Sequence, residues 1–294
     1  MLIQSLSDTA LAVAYARALE SDRPDALFND PFARVLAGER GKAIYQQIQG
    51  DRSIGWFISA RTVVLDELIR QEVQQNGVDT ILNLAAGLDT RPYRMALPSD
   101  LQWIEVDLPP IFAYKQEKLL DAQSVCQLER VSIDLTNRQQ RYNLLSQVNA
   151  AAKRVLVITE GFLVYLPPAQ VSLLAGDLAS QPTVTAWLSD FVSPLSVKIA
   201  QLRMSREAIA ADVQLQFAPN NINQFFEHYG WQVKAARSLW HEAHRLKREV
   251  FFGKLARRLS PFKIQVALLH RSLPLSSAEG CHCRSQPLSS KNDG

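Results

Sequence analysis

Five short apolar runs, each closing on a glycine or a polar residue, constrain this chain more than any other feature. Thr80–Leu84 closes on Ala85-Ala86-Gly87, residues 101–106 on Asp107, 130–133 on Asp134, Val155–Thr159 on Glu160, and 183–188 on Ser189-Asp190. Nearly continuous apolar runs of this length suit strands buried on both faces. Helical spacing appears between most of them, at 109–121, 136–148 and Pro168–Ala179. Strand and helix in alternation predict a mostly parallel α/β sheet covered on both faces. Ligands bind such sheets outside the carboxyl ends of the strands. Topology alone therefore gathers Gly87, Asp107, Asp134 and Glu160 along one edge.

Other elements flank this core. Residues 8–20 read as a helix, with Leu11, Ala14, Tyr15 and Ala18 at helical spacing and Ser7 or Asp8 as a cap. Residues 22–31 are turn-rich, and 54–73 form a longer helical stretch stopped by Gly77. After Asp190 the rhythm loosens into helices at 195–210 and 221–229 and late strands at 231–239 and 264–270, one of them expected to be antiparallel. The tail from Ser272 is rich in Ser, Pro and Gly, which predicts disorder. The expected organisation is an N-terminal helical lid and substrate segment (1–76), an α/β core (77–271) and a tail (272–294). The helices before the first strand are not required by an α/β core, so they are expected over the carboxyl edge of the sheet.

Composition excludes several classes. A net charge of +3 is too small to demand a nucleic-acid partner. No apolar run is long enough to span a bilayer. The first basic residue, Arg17, follows the apolar stretch 11–14, the reverse of a secretory leader. Three cysteines, Cys126, Cys281 and Cys283, do not make a disulfide framework and suit a reducing, cytoplasmic setting. Cys281-His282-Cys283 resembles half of a metal site with no second half elsewhere, so no metal is expected. Residues 234–271 carry ten Lys or Arg against two Glu, with Phe251, Phe252, Leu255 and Leu259 on one helical face. That pattern fits a helix covering the sheet with a solvated basic side. It also fits a peripheral contact through 245–259 with an acidic substrate or a membrane surface.

The strand-end residues carry the chemistry. Gly87 lets backbone approach a ligand closely. Asp107 follows it by 20 residues, the spacing of an acid that grips ribose hydroxyls at the end of the second strand. The loop Ala85-Ala86-Gly87-Leu88-Asp89-Thr90 lacks the three glycines that seat a pyrophosphate. This disfavours a nicotinamide cofactor. S-adenosylmethionine has no pyrophosphate, and its polar end is an ammonium and a carboxylate, which further acids and a nearby basic residue match.

The sequence resembles the leucine carboxyl methyltransferase-like family, above all its bacterial S-adenosylmethionine-dependent branch. The matching pieces include Thr9-Ala10, Arg17-Ala18-Leu19-Glu20, Leu27-Phe28-Asn29-Asp30-Pro31-Phe32-Ala33 and Ala60-Arg61-Thr62. They continue through Ala85-Ala86-Gly87-Leu88-Asp89-Thr90-Arg91-Pro92-Tyr93-Arg94, Glu105-Val106-Asp107-Leu108-Pro109, Asp134-Leu135, Glu160-Gly161 and Tyr165-Leu166-Pro167. They cover roughly residues 5 to 235. The resemblance implies a Rossmann-like class I methyltransferase sheet. It implies that Arg61 holds the cofactor carboxylate, Ala85 and Gly87 line the methionine moiety, and Asp107 binds the ribose. Asp134 would accept from the adenine amine, Leu135 would lie beside the ring, and Glu160 would sit near the amino group. Many members carry glycine where this chain has Ala85.

Each of these residues also has a structural alternative. Asp107 can cap a strand, Asp134 can cap the helix before Thr136, Glu160 can pair with a neighbouring cation, and Arg61 can be a surface charge. Asp89 and Arg91 read as an ion pair that shapes the loop. Tyr165 lines the acceptor pocket or packs as core. Tyr165 and His228 are the candidate catalytic groups, with His241 the one other histidine in question. The expected activity is O-methylation of a carboxylate or hydroxyl on a small molecule or peptide terminus. The alternatives are a non-catalytic cofactor-binding protein and a nicotinamide-dependent oxidoreductase.

Overall fold

The computed structural model describes residues 6–48, 54–203, 214–251, 253–258 and 263–272. Seven strands form one sheet in the order β3-β2-β1-β4-β5-β7-β6. They are β1 (Thr80–Leu84), β2 (Gln102–Asp107), β3 (Gln127–Ser132), β4 (Val155–Thr159), β5 (Val184–Val192), β6 (Trp231–Ser238) and β7 (Ile264–Arg271). The pairs from β3 through β5 are parallel; β7 runs antiparallel to both β5 and β6. The strand order reverses between β1 and β4, the switch point at which open α/β sheets bind ligands.

Strand periodicity sorts the core onto two faces. Leu82, Leu84, Val155, Val157 and Trp187 pack under α6 (Arg138–Ala151), α7 (Pro168–Ala179) and α9 (Ile222–Glu227). Ile81, Trp103, Leu156, Ile158 and Leu188 pack under α3 (Gly55–Gln75) and α10 (Leu239–Arg245). α3 contributes Ala60, Val64, Leu65, Leu68, Ile69 and Val73 to that layer. Much of the segment expected to form a lid is therefore a covering layer of the sheet itself. The remaining helices are α1 (Leu6–Ser21), α2 (Ala33–Ile48), α4 (Arg91–Arg94), α5 (Pro109–Lys118), α8 (Pro194–Arg203) and α11 (Gly253–Arg258).

α1 and α2 build a third cluster, in which Leu11, Ala14, Leu36, Ala37 and Ile44 close on Leu88 and Leu119 at the sheet's carboxyl edge. α2 is not foreseen by periodicity because two glycines interrupt it. Gly38 adopts φ 55° and kinks the helix. A Cβ on Gly41 would sit 2.6 Å from the carbonyl oxygen of Leu11, so glycine there permits the close approach of α1. Asp8 does not cap α1; its carboxylate pairs with Arg40 of α2 at 2.8 Å.

Smaller differences from expectation follow from pairing. β3 begins at Gln127 because it runs in register with β2 from Gln102. β5 continues to Val192 because β7 pairs with it through that residue, which places Asp190 inside the strand. Residues 204–210 of the expected helix at 195–210, Phe252 and Leu259 of the basic segment, and Cys281-His282-Cys283 with the tail from 273 lie outside the described residues. Among the described residues no helix is long and apolar enough to cross a membrane, and no cluster of acids, histidines and cysteines is arranged to hold a metal.

Candidate active site

A cleft of about 780 Å³ opens at the carboxyl ends of β1, β2 and β4, large enough for a drug-sized ligand or cofactor. The sheet supplies Ala85, Gly87, Asp107, Asp134, Leu135 and Glu160 to its wall, α3 supplies Arg61, and the turn after β4 supplies Tyr165. Thr9, Ala10 and Val13 of α1 line it from the N-terminal side. The structure thus gathers all seven residues expected to bind cofactor, and Tyr165 with them. His228 stands apart, exposed at the end of α9, and His241 is exposed on α10. Neither lines the cleft.

β1 ends in a loop with unusual backbone geometry. Ala85 has φ 54° and Gly87 has φ 50°, both in the left-handed region. A side chain there costs about 1–2 kcal/mol, so Ala85 carries strain that glycine would not. The turn directs the Gly87 amide at Asp107, whose Oδ2 accepts it at 2.7 Å while Oδ1 accepts the Leu108 amide at 2.7 Å. Burial pushes the Asp107 carboxyl above its usual range, although both amides oppose that shift. The ionised carboxylate still has acceptor capacity for two vicinal hydroxyls.

Asp134 lies on the loop after β3. Its Oδ1 accepts both the amide and the hydroxyl of Thr136, at 2.8 and 2.7 Å. It does not cap the following helix; Asn137 does, accepting the amides of Gln139 and Gln140. Leu135 is half-buried against the apolar core.

The other end of the cleft is a buried ionic lattice. Glu160 contacts Arg91 Nη1 at 2.7 Å and Arg61 Nε at 2.9 Å. The Arg61 Nε contact is an ion pair by distance only, because its N–H is not directed at an acceptor. Arg61 Nη1 donates to Asp190 Oδ2 at 3.0 Å, and Asp190 Oδ1 accepts the Gly161 amide at 2.6 Å. Arg91 also binds Asp66 and Asp89, at 2.7 and 2.8 Å, so Asp89 and Arg91 form a loop-shaping pair. Asp66 binds Arg94 at 2.6 Å. Arg94 in turn lies 3.9 Å from Asp30, which Arg17 engages at 2.8 Å. Burial alone would raise the carboxyls of Asp89 and Glu160. Burial is the largest single influence at each, but Arg91 with Lys115 and Arg94 at Asp89, and Arg91 with Arg61 at Glu160, together outweigh it, and each carboxyl is held below its usual range. Four arginines face five carboxylates in this lattice, Asp30, Asp66, Asp89, Glu160 and Asp190. Lys115 and Arg130, which share Glu105 beside the lattice, balance the extra carboxylate, so Asp107 adds the one negative charge left over.

Tyr165 faces the same end. Burial raises its hydroxyl above the ordinary phenol range, against a hydrogen bond with Thr9. At neutral pH it is a donor, not a base. Two contributors escaped sequence reasoning. Asp190 was visible as one more acid at a strand terminus, but only the length of β5 brings it to Arg61. Arg17 stands in the family-like piece Arg17-Ala18-Leu19-Glu20, but its role comes only from the fold, where its Nη2 donates to the Leu88 carbonyl of the glycine loop at 2.6 Å.

Residues 10–179 match the family model for leucine carboxyl methyltransferase. A protein of Streptomyces coelicolor, provisionally named an S-adenosyl-L-methionine-dependent methyltransferase, is 34% identical over 182 residues. The match covers 59% of this chain and 64% of the relative, just under two thirds of its length. A similarly named protein of Mycobacterium tuberculosis is 27% identical over 273 residues, covering 80% of this chain and 86% of the relative. Two crystal structures share the fold. One is a protein of Thermobifida fusca provisionally described as a methyltransferase, with TM-score 0.60, 15% identity and coverage of 82% of this chain and 93% of that one. The other is a DUF574 family protein of Streptomyces avermitilis, with TM-score 0.57, 12% identity and coverage of 88% and 96%. Both named relatives are described as S-adenosylmethionine-dependent. The chain belongs to the leucine carboxyl methyltransferase family.

Proposed function

We propose that this protein is an S-adenosylmethionine-dependent O-methyltransferase whose acceptor is a carboxylate on a small molecule or peptide terminus. The residues present fit the cofactor. Asp107 has acceptor capacity left for the ribose diol, and Asp134 Oδ2 takes no donor among the described residues, which suits an adenine amine. Arg61 and Glu160 stand ready for the carboxylate and ammonium of the methionine end. The surplus negative charge complements a ligand that carries sulfonium and ammonium against one carboxylate. When bound, the cofactor supplies a methyl group on a positively charged sulfur, already activated for in-line displacement.

The observation that carries the choice of acceptor is the state of the titratable groups in the cleft. Glu160 and Asp89 are locked as ions by arginine, and Tyr165 is kept protonated by burial. The histidines considered as bases lie outside. A carboxylate acceptor is nucleophilic without a base, so alignment and exclusion of water suffice. α1 lines the cleft beside Tyr165, which supports a covering role for the N-terminal segment. Transfer of labelled methyl from S-adenosylmethionine to matched panels of carboxylic acids and phenols tests the reading. Base-labile esters are expected, with Tyr165→Phe losing less than the roughly 100-fold that removal of a general base costs. Exclusive labelling of phenols contradicts it.

A peripheral contact with an acidic surface is part of the same reading. Phe251 is 98% and Leu255 61% exposed, beside the exposed Lys254 and Arg258. Sedimentation with anionic vesicles should weaken in Phe251→Ala; equal sedimentation of both chains contradicts the contact.

A further inference from the structure

Arg141 is a buried arginine that lies outside the ionic lattice of the cleft. It sits on α6, its side chain is only 2% exposed, and it ranks among the largest fully buried side chains. Burying a guanidinium is costly unless its donors are satisfied. Here they are spent on two targets. Nε and Nη2 both donate to Asp177 Oδ2 on α7, at 2.9 and 2.6 Å. Nη1 donates to the backbone carbonyl of Leu135 at 2.5 Å.

The Leu135 carbonyl belongs to the short loop that follows β3 and lines the cleft. A half-exposed loop carbonyl can be satisfied by water at little cost, so hydration alone does not call for a buried arginine. The consequence of this arrangement is geometric. A rigid planar fork fixes direction as well as distance. Through it, the loop carrying Asp134 and Leu135 is tied to α7, two layers of structure being joined by one side chain. Gln140 adds a second tie by accepting the Asp134 amide at 3.1 Å.

We infer that Arg141 is a positioning residue for the adenine end of the cleft, clamping the Leu135 carbonyl to Asp177 so that Asp134 and Leu135 meet the base in a fixed geometry. This rests on the reading of the cleft as a cofactor site. Arg141 touches no ligand itself. Its effect is on recognition of the exocyclic amine, for which Asp134 is the acceptor.

The test compares affinities for S-adenosylhomocysteine and for its analogue with hydrogen in place of the adenine 6-amino group. The unaltered chain is expected to prefer S-adenosylhomocysteine by about tenfold or more, the usual worth of one hydrogen bond to a charged group. Arg141→Met should lose most of that preference while binding of the analogue changes little. A general loss of stability would weaken both ligands alike and leave the ratio intact. Asp177→Asn, which keeps Arg141 in place, should lower the ratio in the same direction by less, and it serves if Arg141→Met does not fold. Arg141→Lys retains the charge but not the fork, and should restore little of the preference. An unchanged ratio in the folded variants overturns the clamp alone. Failure of the unaltered chain to bind S-adenosylhomocysteine overturns the cofactor reading, and the clamp with it.

Discussion

The amide of Gly87 and the carboxylate of Asp107 meet at 2.7 Å across the gap between the first two parallel strands, so one acid both shapes the glycine loop and faces the cleft. This contact ties the loop's left-handed turn to the second strand. The amide favours the ionised acid, but burial outweighs it. Burial lifts its carboxyl above the usual range, which means the folded, ligand-free protein binds that proton more tightly than the unfolded chain. The sign follows. This group favours the fold at low pH and loses that contribution as pH rises through its folded value. Asp107→Asn removes the buried charge but turns an amide donor toward one of the two backbone N–H groups, so its melting temperature relative to the unaltered ligand-free protein should be more favourable at neutral pH than at acid pH. Asp107→Ala should weaken S-adenosylmethionine binding by about 1.5–3 kcal/mol. Thermal melts and calorimetry read both, and normal binding by Asp107→Ala would make the acid purely structural.

Ala85 offers a test of strain. Its φ of 54° is one that glycine adopts freely. Ala85→Gly should relieve the left-handed penalty while adding some entropy to the unfolded chain, a net gain of about 0.5–1 kcal/mol. For a protein of this size that is a rise of roughly 1–4 °C in Tm. A fall in Tm would show that the alanine methyl makes a packing contact worth more than the strain.

Asp30 joins α1 to the loop beneath the cleft. Its side chain is 0% exposed, and Arg17 and Thr90 hold it at 2.8 and 2.6 Å. Burial opposes ionisation there and is the largest single influence, but Arg17, Thr90 and Arg94 together outweigh it and the carboxyl is held below its usual range. A depressed carboxyl stabilises the fold above its unfolded value, near pH 4, and loses that contribution as pH falls through its folded value. Arg17→Met should destabilise the protein toward the lower end of about 3–5 kcal/mol, because Thr90 and Arg94 remain. It should also flatten the acid limb of the stability profile. A chain lacking residues 1–20 loses Arg17 together with Glu20, the buried partner of Arg248 at 2.7 Å, and is expected not to fold stably. Circular dichroism against pH and denaturant checks these outcomes; a stably folded truncation would make α1 a detachable lid.

Most of the sheet is legible in the sequence. β1 and β4 are continuous apolar runs, and central parallel strands have to be, so their bounds agree with the pattern. The edge strand β3 is mostly polar, with only Leu128 and Val131 apolar, and its start is set by pairing with Gln102. α2 was hidden because glycines that serve packing look like breaks. At the site, Asp107, Asp134 and Glu160 were visible because topology places strand ends together. The roles of Arg17, Asp190 and Arg141 were not visible. Each acts across at least 13 residues of sequence through a side chain whose partner only the fold supplies, except for the local tie from Arg141 to Leu135.

Titration calorimetry of the unaltered chain with S-adenosylmethionine and with NAD tests the cofactor site most directly. The loop at Gly87 lacks the three glycines that seat a pyrophosphate. The account predicts saturable, single-site binding of S-adenosylmethionine and no heat with NAD. Binding of NAD with no signal from S-adenosylmethionine would contradict it.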